Sequence, residues 1–174
     1  MKVRITVFLL ALAMSLALTG CSKNSPQATV IKKYPVDSME GIITLSGVQF
    51  DNDISSDGKG SLKITATEPT VVRLFETGDI DIENARLDYQ ARVRTEGVEG
   101  RVFLEMWCNF PGKGEFFSRG LESPLSGTAE WTTQGTPFFL QKGENPDNIK
   151  LNVVIDGKGT VWIDDIRLIK GSLQ

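Results

Sequence analysis

Apolar and polar residues alternate over much of the chain with a period of two. In residues 84–95, Leu87, Tyr89, Ala91 and Val93 fall on one side, and Asp88, Gln90, Arg92 and Arg94 on the other. Residues 100–110 repeat the pattern, setting Val102, Leu104, Met106 and Cys108 opposite Phe103, Glu105, Trp107 and Asn109. Residues 149–155 do so again with Ile149, Leu151, Val153 and Ile155. This is the pattern of antiparallel strands with one face buried and one wet. Shorter β-rich runs at 43–50, 61–68, 70–76, 128–133 and 160–169 lie between clusters of Gly, Asp, Asn and Pro. About eight strands at such spacing predict an all-β fold, an antiparallel sandwich of two sheets. No amphipathic helix and no internal repeat are visible.

The first 20 residues stand apart. Lys2 and Arg4 precede an apolar run from Ile5 to Leu18, which ends in Leu18-Thr19-Gly20-Cys21. A basic start, a short apolar middle and small residues at the end mark a secretory signal peptide, and the run is short for a spanning helix, which needs about 20 apolar residues. Leu-Thr-Gly-Cys resembles the lipobox of bacterial lipoproteins. That resemblance implies cleavage before Cys21, covalent lipid on its thiol and amine, and attachment to a lipid bilayer through buried acyl chains. Ser22 in place of Asp implies, by resemblance to enteric bacteria, the outer membrane of a Gram-negative cell envelope. Residues 21–36, polar and with two prolines, read as a lipidated tether, and residues 37–170 as the sandwich domain.

Composition narrows the picture. Of the two cysteines, lipidation of Cys21 leaves Cys108 without a partner, so it is expected to pack as a small buried hydrophobe. The formal charge is −3, and loss of Lys2 and Arg4 makes the mature chain more acidic, which argues against nucleic acid as a partner. The chain has no histidine, which removes triads with a His base and His-ligated zinc. A glycosidase needs two carboxylates about 5–10 Å apart, but among 22 acids a pair such as Glu105 and Glu115 carries little information. The protein is therefore expected not to be an enzyme.

Three stretches combine into a family resemblance: Asp37-Ser38-Met39-Glu40-Gly41 at the start, Asp57-Gly58-Lys59-Gly60-Ser61-Leu62 before a strand, and Gly159-Thr160-Val161-Trp162-Ile163-Asp164-Asp165-Ile166 at the end. In this order, with Gly127-Thr128-Ala129-Glu130-Trp131-Thr132 between them, they resemble galactose-binding-like jelly rolls, in particular carbohydrate-binding modules of families four and nine and their relatives. The usual Trp after the opening acidic motif is absent; Ile42 and Ile43 stand there. The resemblance implies a jelly-roll sandwich and a structural Ca2+ joining the first segment to the last strand, with Asp165 as ligand and Asp37 or Glu40 at the other end. Asp164 is the alternate, because a bulge at the acidic pair decides which side chain turns inward. Without the ion, backbone N–H groups are left to satisfy one carboxylate while the other is solvated.

Sugar recognition combines a flat aromatic platform with planar polar side chains. Trp107 and Glu105 share a wet strand face. A hairpin across residues 96–99 would bring Arg92 to it, and Asn152 joins from another strand. Arg92, Glu105, Trp107 and Asn152 are thus the expected ligand patch, and the ligand a polysaccharide. The loop 109–120 is the other candidate for ligand contact, its Phe116 and Phe117 forming either a rim or a hinge onto the core. The competing expectation is an interaction or structural module of the cell envelope that uses an outer sheet face or a loop against another protein. Trp131 and Trp162 are expected to be packing residues.

Overall fold

The computed structural model describes residues 28–78 and 80–173. Eight strands run in chain order: β1 (Thr29–Tyr34), β2 (Val48–Asp51), β3 (Ser61–Ala66), β4 (Thr70–Thr77), β5 (Ala85–Phe110), β6 (Gly114–Arg119), β7 (Leu125–Leu140) and β8 (Asn148–Gly171). All pairings are antiparallel. The spine is one long ribbon, in which β5 and β8 pair from Arg86↔Gly171 at one end to Asn109↔Asn148 at the other. The free edge of β8 carries β1, β3 and β4 in succession, and β3 carries β2. The free edge of β5 carries β7 and then β6.

The ribbon folds over on itself, and its two halves supply the two layers of the sandwich. The fold lies where the register slips between Glu96 and Glu99. On β5 the residues of the hydrophobic core are odd-numbered from Ala85 to Val93 and even-numbered from Val98 to Phe110. A bulge changes which face a strand presents, so one strand lines the core from both layers. Gly100 and Gly157 pair at the corner with φ of 115° and 149°. A Cβ on Gly100 would lie 2.0 Å from the Asp156 carbonyl oxygen, and one on Gly157 1.9 Å from that of Glu99. The backbones approach too closely there for any side chain.

A second slip lies between Gln90 and Arg92, where β8 carries the extra residue opposite β5. Its burial changes phase in the same way, from Val161 and Ile163 to Ile166 and Leu168, across the acidic pair. The core fills the space between the layers with Leu62, Leu74, Leu87, Leu104, Met106 and Leu151, all essentially inaccessible. Cys108 is fully buried and free, as the sequence suggests, and burial pushes its thiol up to about 12.

Three segmental expectations change. The runs at 84–95 and 100–110 fall in one strand, β5, rather than in two joined by a hairpin, and the separate runs at 149–155 and 160–169 fall in one strand, β8. Residues 29–34, assigned to the tether, pair with Ile166–Lys170 as β1, so the domain begins earlier than residue 37. The segment read as a loop between Asn109 and Gly120 contains β6. The signal peptide and Cys21 lie outside the described residues.

Candidate functional site

The wet face of the layer built from β4, β8, β5 and β6 carries a cleft of 340 Å3. Register places its parts: Glu105 stands opposite Asn152 of β8 and Arg119 of β6, and Trp107 opposite Lys150 and Phe117. Asn152 in turn stands opposite Arg73 of β4. Alternation along β5 turns Glu105 and Trp107 to the cleft while Leu104, Met106 and Cys108 fill the core.

Glu105 organises this face. It is 3% exposed. Its Oε1 accepts from Trp107 Nε1 at 2.7 Å and from Asn152 Nδ2 at 3.0 Å, and its Oε2 from Arg119 Nε at 2.6 Å. Burial raises the carboxyl pKa, but the bonds from Trp107, Asn152 and Arg119 and the Arg119 charge outweigh it, so the group is held below its ordinary value. The indole is thereby locked in orientation and rests against Phe117 with ring centroids 5.0 Å apart. The Arg119 guanidinium lies 4.5 Å from the Phe117 centroid. Lys150 is bonded to Glu115, and Arg73 to Glu76 at 3.1 Å. The result is a half-buried aromatic plate beside planar polar groups whose charges are matched.

Glu105, Trp107 and Asn152 thus come together as the sequence suggests; Arg92 does not join them. With no hairpin at 96–99, Arg92 lies in the other half of the folded ribbon. It donates to the Trp131 carbonyl at 2.7 Å and to Thr133 Oγ1 at 3.2 Å. Arg119 takes the place expected of it. The alternation of the Glu115–Arg119 run was concealed by its glycine neighbours. Phe116 and Phe117 point to opposite sides of β6, Phe116 against Phe110 and Phe117 against Trp107. Trp162 packs, 2% exposed, with Nε1 donating to Asp51 Oδ2 at 2.9 Å and Arg94 and Lys63 against its ring.

The acidic pair at the second bulge resolves differently from the expected calcium site. Asp165 has φ 47°, which turns it outward and sends Asp164 into the protein. Asp164 is fully buried. Its Oδ2 accepts from Ser56 N at 2.9 Å and Ser56 Oγ at 2.6 Å, and its Oδ1 from Asp165 N at 2.7 Å. Asp165 binds Arg167 through both oxygens and lies 3.3 Å from Lys33 Nζ. Burial raises its pKa, but these two cations more than offset that and hold it low. Asp37 and Glu40 are exposed; Asp37 has Lys59 Nζ at 4.0 Å, and Ser38 Oγ accepts from the Glu40 amide. Among the described residues, no group of three or more His, Cys, Asp or Glu could hold a metal. Cations occupy the positions around Asp165 that a dication would need, so Asp37, Glu40 and Asp165 do not fit a Ca2+.

No protein-family model matches the chain, and no curated protein matches it. Solved structures do. The CBM22-1 xylan-binding domain of Paenibacillus barcinonensis Xyn10C aligns at TM-score 0.59 and 14% identity, over 83% of this chain and 96% of that one. The CBM22-1–GH10 modules of Clostridium thermocellum xylanase 10B, complexed with xylohexaose, align at 0.61 and 12%, over 82% of this chain and 28% of that one. A family 16 carbohydrate-binding module aligns at 0.57 and 12%, over 76% and 92%. The fold is thus a β-sandwich of the carbohydrate-binding-module kind. The structures named here belong to families 22 and 16; the expected carbohydrate-binding-module fold is present, without families four and nine being singled out.

Proposed function

We propose that this protein is a noncatalytic glycan-binding module, carried on a lipid anchor at Cys21 in the bacterial cell envelope, at the outer membrane where the host is Gram-negative. The observation that carries the reading is the Trp107 indole, pinned by Glu105 beside Asn152 and Arg119 in an open cleft. A plate held in advance, with amide and guanidinium groups at its rim, suits a pyranose ring and its hydroxyls, because little ordering remains to be done on binding. The xylan-binding function of one neighbour makes xylan the first glycan to try. The two carboxylates that line this cleft are committed, Glu105 to three donors and Glu115 to Lys150. That supports binding without cleavage.

The test is titration of the protein with xylohexaose and a broad glycan panel while tryptophan emission is followed. Saturable quenching that disappears in Trp107→Ala supports the reading. Silence across the panel overturns it. A second reading, an envelope protein-interaction module, draws on the half-exposed Phe116, Phe117, Leu121 and Phe139. A stable partner captured by crosslinking, with no glycan response, would favour it.

A further inference from the structure

We infer that β6 is a docking edge for a second copy of this chain: two β6 strands pair antiparallel about a twofold axis at Phe117 and join two domains into one continuous sheet. This holds whether or not the cleft binds a glycan.

Among the described residues, β6 closes its layer and has β5 as its only sheet partner. The ladder fixes which backbone groups are free. Gly120 N donates to Leu104 O at 2.9 Å, one step beyond the Glu105↔Arg119 pair. Antiparallel ladders alternate, so Phe116 and Ser118 turn their N–H and C=O to β5 as Gly120 does, while Glu115, Phe117 and Arg119 turn theirs outward. Of these outward groups the Arg119 carbonyl accepts from the Leu121 amide, and the rest face open space.

The other free edges are defended. β1 carries Lys32, Lys33 and a register shift. β7 carries Pro137 and several shifts. β2 is only four residues long. The edge of β4 is covered by Ile43 and Thr44, whose amides donate to Leu74 and Arg73. Such devices keep edges from pairing with other chains. β6 has no lysine, no proline and no register shift, and its Phe116 and Phe117 are half exposed.

The run Gly114-Glu115-Phe116-Phe117-Ser118-Arg119 is also complementary to itself. A twofold axis at Phe117 sets it against the partner's Phe117, Glu115 against the partner's Arg119, and Phe116 against the partner's Ser118. The residues in the first two pairs are those whose backbone groups point outward, so the register that matches the charges also matches the hydrogen bonds. Sliding by one residue loses both. Opposed aromatic rings and opposite charges each favour such a pairing. The charged side chains have atoms to spare: Glu115 meets Lys150 through Oε1 alone and Arg119 meets Glu105 through Nε. A trough of 480 Å3, lined in part by Ser118, Arg119, Pro137 and Phe139, keeps the space beside this edge open. An axis perpendicular to the sheet would leave both clefts opening on the same side, with the two Phe117 rings between the two Trp107 indoles.

The test uses the full-length protein in density-matched detergent. Six residues a side make a small contact of the transient class. Sedimentation is therefore expected to show monomer passing to dimer as concentration rises from about 10 µM to about 1 mM. A monomer throughout overturns the inference, and so does an assembly larger than two, because a twofold contact closes at the dimer. Phe117→Pro removes the central outward N–H without breaking a bond to β5, and is expected to weaken the dimer tenfold or more. Full dimerisation by folded Phe117→Pro would move the contact away from β6. Phe117→Cys is expected to give a disulfide-linked dimer under mild oxidation, since directly opposed strand residues lie within disulfide reach. Gln49→Cys, exposed on β2, is the control and should stay monomeric, as should the parent, whose Cys108 is buried. Equal crosslinking of the two variants, or none by Phe117→Cys, overturns the twofold register. Sedimentation of the native protein decides for or against the dimer even if a variant does not fold.

Discussion

Asp164 and Ser56, 108 positions apart, are held by two hydrogen bonds, from the serine amide and hydroxyl to one carboxylate oxygen. They tie the loop between β2 and β3 to the last strand at its bulge. Trp162, bonded to Asp51 at the start of the same loop, makes a second tie. Within the loop, Ser55 Oγ accepts from the amides of Asp57, Gly58 and Lys59, so its shape is internally set.

Asp164→Ala would leave the Ser56 amide and hydroxyl without their buried acceptor. Hydrogen bonds to a charged group are worth about 1.5–3 kcal/mol each, so the loss should be about 3 kcal/mol or more. For a domain of this size that lowers Tm by about 6–12 °C. Asp165→Ala, whose carboxylate is partly exposed, should cost much less. This ordering reverses the one a calcium ligand at Asp165 would produce, and thermal melts of the two variants check it.

The donor set around Asp165 also predicts that melting is insensitive to divalent cations. A resident ion would stabilise by mass action, about 2.7 kcal/mol at 100 times its Kd. Melts in millimolar EDTA and in millimolar Ca2+ should instead coincide within a degree. A rise with Ca2+ that is lost in Asp165→Ala would restore the ion.

Alternation made the layers legible, because Leu87 to Val93 and Val102 to Cys108 each keep their phase. It did not make the corner legible. Glu96-Gly97-Val98-Glu99-Gly100 has the composition of a hairpin turn, and a bend within one strand uses the same residues for the same conformational reason. That single ambiguity carried Arg92 to the wrong layer. Arg119 was hidden because β6 is a short edge strand flanked by glycines, and β1 because an edge strand with mostly exposed residues need not alternate. Glu105, Trp107 and Asn152 were found because alternation alone puts them on the wet face. The acidic pair stands out in the sequence, but which Asp turns inward depends on the φ of 47° at Asp165, a property of the folded bulge.

The corner should tolerate no side chain. Gly157→Ala would place a methyl 1.9 Å from a backbone carbonyl oxygen that cannot move without parting β5 from β8. A cost above about 3 kcal/mol is expected. Gly97→Ala is the control: it also has positive φ, but nothing lies within 4 Å of the added carbon. It should cost only about 1 kcal/mol, the backbone term alone. Urea denaturation of both variants gives the comparison.

Arg119 and Arg92 should separate in binding assays. Arg119→Ala removes the Glu105 Oε2 partner and the guanidinium beside Phe117, loosening the acid that orients Trp107. About a tenfold loss of glycan affinity is expected, some 1.4 kcal/mol. Arg92→Ala, which breaks only bonds to β7, should change affinity by less than twofold. Calorimetric titration of both variants with the same hexasaccharide checks the pair.

Acid should weaken the fold through Glu105. Its folded pKa lies below the ordinary glutamate value of 4.5, so the unfolded chain binds more protons as pH falls. The stability it contributes is complete well above 4.5 and is lost as pH drops through that value toward the lowered folded one. Protonation would remove the charge that Trp107, Asn152 and Arg119 all donate to and set an O–H against the donors of one oxygen, so glycan binding should fall over the same range. Glu105→Gln removes this titration, and its melts should fall less steeply below pH 5 than those of the parent. The acid limb should flatten without vanishing, because Asp51 and Asp165 are also held below their ordinary values, Asp51 chiefly by the bond from Trp162. Identical acid limbs for parent and variant would show that Glu105 is not the group being titrated.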